Sequence, residues 1–82
     1  MDRIQIEKQI EELETEIPEW EKMGMVEEAT RVAQEVALFK IALQQPDAEI
    51  EQCQATLPGR ASILRMAEKL ITQEIENGKQ VF

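Results

Sequence analysis

The segment Val36-Ala-Leu-Phe-Lys-Ile-Ala-Leu43 is apolar almost all round, with Lys40 the one exception. On a helix of about 3.6 residues per turn, such a stretch leaves no side suited to water, so it is expected to be enclosed on every side. A two-helix hairpin cannot enclose one of its own members. Further helices of the chain must do so, or a second copy. An 82-residue chain is one domain and buries only roughly 60% of its unfolded surface, which makes a lone monomer marginal. Cys53 is the single cysteine and there is no histidine, which excludes a disulfide and a Cys/His zinc cluster. Stability is therefore expected from packed helices, with self-association contributing. Leu38, Phe39, Ile41 and Leu43 are the candidates for a homodimer contact.

Glu, Gln, Ala, Ile, Leu and Met dominate elsewhere, and apolar/polar alternation never runs for long, so the fold class is all-α. Ile6, Ile10, Leu13 and Ile17 recur at steps of four, three and four, which places them on one narrow stripe. Ile4 lies off it. Trp20 and Met23 continue it past Pro18, so residues 2–23 read as one helix kinked or briefly broken there, with a stop at Ile17 as the alternative. Gly24 ends the element. A second helix over about 25–45 would carry Met25, Val26, Ala29, Val32, Ala33, Val36, Phe39 and Leu43 on a broad apolar face. Pro46-Asp47-Ala48-Glu49 has the composition of a helix start, with proline placed first and acids at the positive end of the helix dipole. Ile50, Cys53 and Leu57 make a short stripe before the Pro58-Gly59 turn. A last helix over about 60–77 would bury Ile63, Leu64, Met66, Ala67, Leu70, Ile71 and Ile75 and end at Asn77-Gly78. The expected architecture is a small antiparallel four-helix bundle in one domain: a long hairpin (2–45), a shorter one (47–77) and a tail (78–82).

The charge is unevenly placed. Nine glutamates (Glu7, Glu11, Glu12, Glu14, Glu16, Glu19, Glu21, Glu27 and Glu28) against Lys8 and Lys22 leave −7 over residues 7–28, out of −8 in total. Net negative charge disfavours direct binding to DNA, RNA or anionic lipid. The first residues show no apolar run like a signal peptide, and no stretch approaches the roughly 20 apolar residues that span a bilayer. A cytoplasmic, membrane-free protein is expected.

Catalysis is not expected. The chain has no histidine or tyrosine, the usual proton-transfer groups, and no phosphate-binding glycine pattern. Ser62, near a helix start, is expected to satisfy backbone N–H groups, and Cys53 to act as a small buried hydrophobe. Carboxylate metal sites in bundles need Glu-x-x-His, which this chain cannot supply, so neither metal nor cofactor is expected. Glu74 falls inside the apolar arc of the last helix. It is expected to reach water there, the alternative being an ion pair with Arg60, Arg65 or a partner.

What remains is binding. Glu7, Glu11, Glu12, Glu14, Glu16, Glu19 and Glu21 form a candidate docking surface for a protein with a basic patch. Trp20, Met23 and Met25 at the hairpin tip either anchor that partner or, more commonly for such residues, close the end of the core. Carboxylates three or four positions apart lie about 5–6 Å apart along a helix. The rows Glu7-Glu11-Glu14 and Glu12-Glu16-Glu19 thus also fit an inhibitor of the phage or mobile-element type, one that imitates phosphates to block a nucleic-acid-binding protein. A structural homo-oligomer without a third-party ligand is a further alternative. Leu13, Ile17, Val26, Glu27, Glu28, Ala29 and Val32 fall at spacings that resemble the UVR motif, the helical-hairpin interaction motif of nucleotide-excision-repair proteins. Thr30, Ala33, Pro18 and Gly24 depart from its pattern. The resemblance implies an antiparallel hairpin able to pack on another helix pair.

Overall fold

The computed structural model describes residues 1–56 and 59–80, the last five by backbone alone. Four helices follow in order: α1 Arg3–Lys22, α2 Val26–Leu43, α3 Asp47–Thr56 and α4 Arg60–Gln80. Among the described residues there is no strand. The chain is all-α, a small helical bundle in which α2 is the central member. It packs against both α1 and α4, and α3 packs on α4.

The local sequence explains each boundary. Asp2 caps α1 through a capping box, its carboxylate accepting from Gln5 N–H while the Gln5 amide oxygen accepts from Asp2 N–H. Pro18 lies inside a continuous α1 and is exposed, so its ring faces solvent while Ile17 and Trp20 on either side of it are half-buried. The alternative of a helix stop at Ile17 is thereby removed. Gly24 adopts φ +75, and the turn around it is a Schellman motif. Gly24 N–H donates to Glu21 O (3.0 Å) and Met25 N–H to Trp20 O (3.0 Å), which satisfies two carbonyls that the helix end would strand. Pro46 immediately precedes α3, its carbonyl accepting from the N–H groups of Glu49 and Ile50. α4 runs through Asn77-Gly78 to Gln80, beyond the expected stop. Glycine inside a helix costs only about 1 kcal/mol, which weakens the helix there without ending it. Leu57, Pro58 and the last two residues of the expected tail, Val81 and Phe82, lie outside the described residues.

The core is built from Ile6, Ile10 and Leu13 of α1, Val36, Phe39 and Ala42 of α2, Ile50 of α3 and Ile63 of α4. Burying each large member is worth about 1.5–3 kcal/mol. The shortest dimension of the molecule is 18 Å, room for two helix layers at the usual spacing of about 8–10 Å. Full enclosure of the 36–43 belt is therefore not achieved. Val36, Phe39 and Ala42 are buried, Leu38, Ile41 and Leu43 are half-buried, and Ala37 and Lys40 are exposed. Several residues expected inside lie outside: Val26 at 67%, Ile75 at 56% and Met25 at 41% exposure, and Ala33 is exposed as well. The radius of gyration is 14.4 Å, against roughly 12 Å for a compact domain of this length. Helices that outrun the core account for the excess.

Candidate protein-interaction surface

α1 offers only a narrow apolar stripe to the core, so most of its circumference meets water. Glu7, Glu11, Glu12, Glu14, Glu16, Glu19 and Glu21 are all exposed. One of the seven, Glu14, has an ion pair within the chain among the described residues, to Lys40 Nζ at 3.4 Å; on α2, Glu28 meets Arg31 at 3.8 Å. Both pairs are solvent-screened and worth little.

The helical period separates the glutamates into two rows. Glu7, Glu11 and Glu14 run along one flank of α1 and Glu12, Glu16 and Glu19 along the other, roughly 140° apart around the axis. The first row lies on the side where Lys40 of α2 reaches across. The second shares its rotational position with Gln5, which faces α3 across a groove lined by Ile50 and Gln54. The second row therefore continues along the flank of α1 whose start faces α3.

The hairpin tip does not close the core. Met23 is 68% exposed. Trp20 is half-buried, but it does not pack against the core cluster. The reason is axial rather than angular: α4 begins only at Arg60, which pairs with Glu35 and stands over the Phe39 ring, 5.9 Å from its centroid. From there to the tip, α1 and α2 contact each other without cover from α4. Trp20, Met23 and Met25 thus form an accessible apolar end beside the acid rows. Among the proposed self-association residues, Phe39 is excluded. It is fully buried inside its own chain, under α4. Leu38, Ile41 and Leu43 keep partial exposure.

The residues weighed for chemistry are occupied by structural bonds. The Cys53 thiol, half-buried, donates to Ser62 O at 3.2 Å. Ser62 Oγ donates to the Gly59 carbonyl (3.0 Å) and accepts from Gln54 Nε2 (2.6 Å). The hydroxyl thus serves a carbonyl and a side-chain amide, not the backbone N–H groups expected of it, because the chain enters α4 through Gly59 at φ +105 with its carbonyl turned back. Glu74 is exposed, and Arg60, one of the cations proposed for it, is engaged by Glu35. Among the described residues no group of His, Cys, Asp or Glu is arranged to hold a metal ion, and no helix is long and apolar enough to cross a membrane.

Two hubs were missed by sequence reasoning. Arg3 donates to Leu43 O (2.6 Å), Gln45 O (2.7 Å) and Asp47 (2.8 Å), capping the end of α2 and tying the starts of α1 and α3. A signal existed: a cation in the first turn opposes the helix dipole, so it needs another partner. Gln54 bonds both the N–H and the C=O of Gly59, Ser62 Oγ and the N-terminal ammonium, latching the α3–α4 turn to the start of α1. Nothing in a lone glutamine of an exposed-looking helix marks it.

Comparison with protein-family models, with curated proteins and with solved structures finds no match to this chain. The likeness to the UVR motif is confined to the seven residues that carry it.

Proposed function

We propose that this chain is a small, acidic, non-enzymatic interaction protein, working in the cytoplasm, that docks on the basic patch of another protein through the glutamates of α1 and the apolar hairpin tip. The observation that carries this reading is the exposure of all seven α1 glutamates with a single pairing among the described residues. Self-neutralised carboxylates would have little left to offer a partner, whereas unpaired rows project a directional negative field that speeds and steers encounter with a cationic surface. Trp and Met beside such rows supply the desolvated contact that charge alone does not. The lack of histidine and tyrosine, with Cys53 and Ser62 held in turn-stabilising bonds, favours binding over catalysis.

The test is affinity capture from the native cell on the immobilised chain, at low and at high salt, beside the Glu11→Lys/Glu14→Lys variant. The partner is expected to be released by salt and lost with the variant, whose circular dichroism should remain helical. Capture that survives both treatments removes the acid rows from the reading.

The spacing of the exposed rows favours one second reading, imitation of a phosphate backbone to block a nucleic-acid-binding protein. Duplex DNA or RNA added to the captured complex separates the two. A mimic is displaced from its target, and an adaptor is indifferent.

A further inference from the structure

α3 and α4 pack on each other and leave a trough of about 520 Å³ between them. Cys53 of α3 and Met66 and Leu70 of α4 line it, all three half-buried. The polar groups beside them are already served within the chain. The Cys53 thiol donates to Ser62 O, the Ser62 hydroxyl is held by Gly59 O and Gln54, and the Thr56 hydroxyl donates to Gln52 O. An apolar body laid there strands none of these groups. The charged residues of the trough are Glu49, Arg65 and Lys69, a local balance of +1 in a chain of −8. Arg3, Arg31, Lys40 and Arg60 each pair with a carboxylate, whereas Arg65 and Lys69 have no ion pair among the described residues. The two stand one turn apart on α4, a rise of about 6 Å. A second hollow, between the starts of α1 and α3, offers nothing comparable. Asp2, Asp47 and Glu51 line it, and its arginine, Arg3, is spent on Asp47 and two carbonyls. In the α3–α4 trough, this acidic molecule presents uncommitted positive charge beside apolar surface.

We propose that this trough binds a small anionic amphiphile, in chemical class a medium-chain alkyl carboxylate, with its head on Arg65 and Lys69 and its chain over Cys53, Met66 and Leu70. A guanidinium fork matches a carboxylate, and the ammonium one turn on supplies a second charged donor. Size selects a small ligand over a protein. α3 has 10 residues, about 15 Å at 1.5 Å per residue, and packed helices lie about 8–10 Å apart. A footprint on the order of 150 Å² falls far short of the roughly 800 Å² that each partner buries in a stable protein interface. The volume of the trough, in contrast, lies within the roughly 300–1,000 Å³ of small-molecule sites. Glu49, contributed by α3, repels an anionic head and so directs it to the cations of α4. No residue of α1 lines the trough, so this site stands or falls independently of the acidic docking surface.

Cys53 is the only cysteine, so its rate of reaction with a neutral maleimide, measured on the whole chain, reports on the trough directly. The probe is octanoate. It is expected to slow that reaction saturably, with half-saturation at about 1 mM or below. The Met66 methyl resonance should shift with the same midpoint, a second readout that does not depend on thiol reactivity. Octanol keeps the chain without the charge, and acetate keeps the charge without the chain. Each should act roughly tenfold more weakly or not at all. Arg65→Gln combined with Lys69→Gln changes two exposed positions, and circular dichroism checks that the helices persist. The pair should weaken octanoate about tenfold. Glu49→Gln should tighten it about twofold, a gain that a purely structural role for these side chains does not produce. Octanol as effective as octanoate, or octanoate undiminished by the double variant, would overturn the anion site. A response that never saturates, or Met66 shifts no larger than those at Trp20 and Ile75, would mean adventitious association only and overturn the trough.

Discussion

The two halves of the α1–α2 hairpin use the same chemistry and reach different ends. In the half nearest the chain start, Ile6, Ile10, Leu13, Val36, Phe39 and Ala42 are buried, with Ile50 and Ile63 from the second hairpin laid over them. In the distal half only Ala29 is buried, and Met23, Met25 and Val26 stand in water. The stripe that runs along both halves is the same stripe. What differs is whether α4 lies on it. Periodicity in a sequence specifies which face of a helix is apolar, and it is silent on how far along the axis a third element extends.

That contrast predicts two independent levels of stability. Phe39→Ala removes a fully buried ring and should cost about 3–5 kcal/mol of unfolding free energy, read by urea denaturation. The same variant should leave amide exchange in residues 20–30 nearly unchanged. If the distal arm opens locally, both its closed and its open forms keep the damaged core, and the penalty cancels. Exchange that accelerates equally in the arm and in α1 residues 6–13 would show one cooperative unit and dissolve the distinction between the halves.

Arg3→Ala probes the ties of the buried half at its other end. It strips the carbonyls of Leu43, the last residue of α2, and of Gln45 just beyond it of their donor and frees Asp47. The Arg3–Asp47 pair itself is largely exposed and contributes little. The two capped carbonyls should dominate, for a loss of about 2 kcal/mol. Arg3→Lys should recover only part of it, because a single ammonium cannot reproduce the guanidinium fork. Full rescue by lysine would mean that charge, not geometry, holds the α2–α3 corner.

The fold was legible where a residue's neighbours lie on its own helix or follow from an amphipathic face. The stripe Ile6-Ile10-Leu13, the Gly24 turn, the Pro46 start and the Ile63-Ala67 face were all readable, and each is present. Met25, Val26, Ala33 and Ile75 were misplaced because angular position alone assigned them to the core. Asn77-Gly78 was misplaced because a glycine marks a stop only where the left-handed conformation is adopted. Of the candidate surface, the acid rows were visible because surface carboxylates need no tertiary knowledge. The open apolar tip was not, since it exists only through the point at which α4 begins.

The smallest effect belongs to the tip itself. Gly24 holds φ +75, and a Cβ added there would meet nothing within 4 Å. The cost of Gly24→Ala is therefore purely conformational, about 1 kcal/mol for an L-residue in the left-handed region. Every open form in which the tip relaxes gains by the same amount, so amides around residues 20–30 should exchange roughly fivefold faster. Gly24→Asn should show a smaller change, because asparagine visits that conformation more readily. The tip lies outside the region α4 covers, so neither variant should alter the packing of the buried half, read as unchanged methyl chemical shifts of Ile6, Ile10 and Ile63. Shifts there comparable to those at the tip would mean that strain travels along the hairpin, and that its two halves are mechanically coupled even though their stabilities are separate.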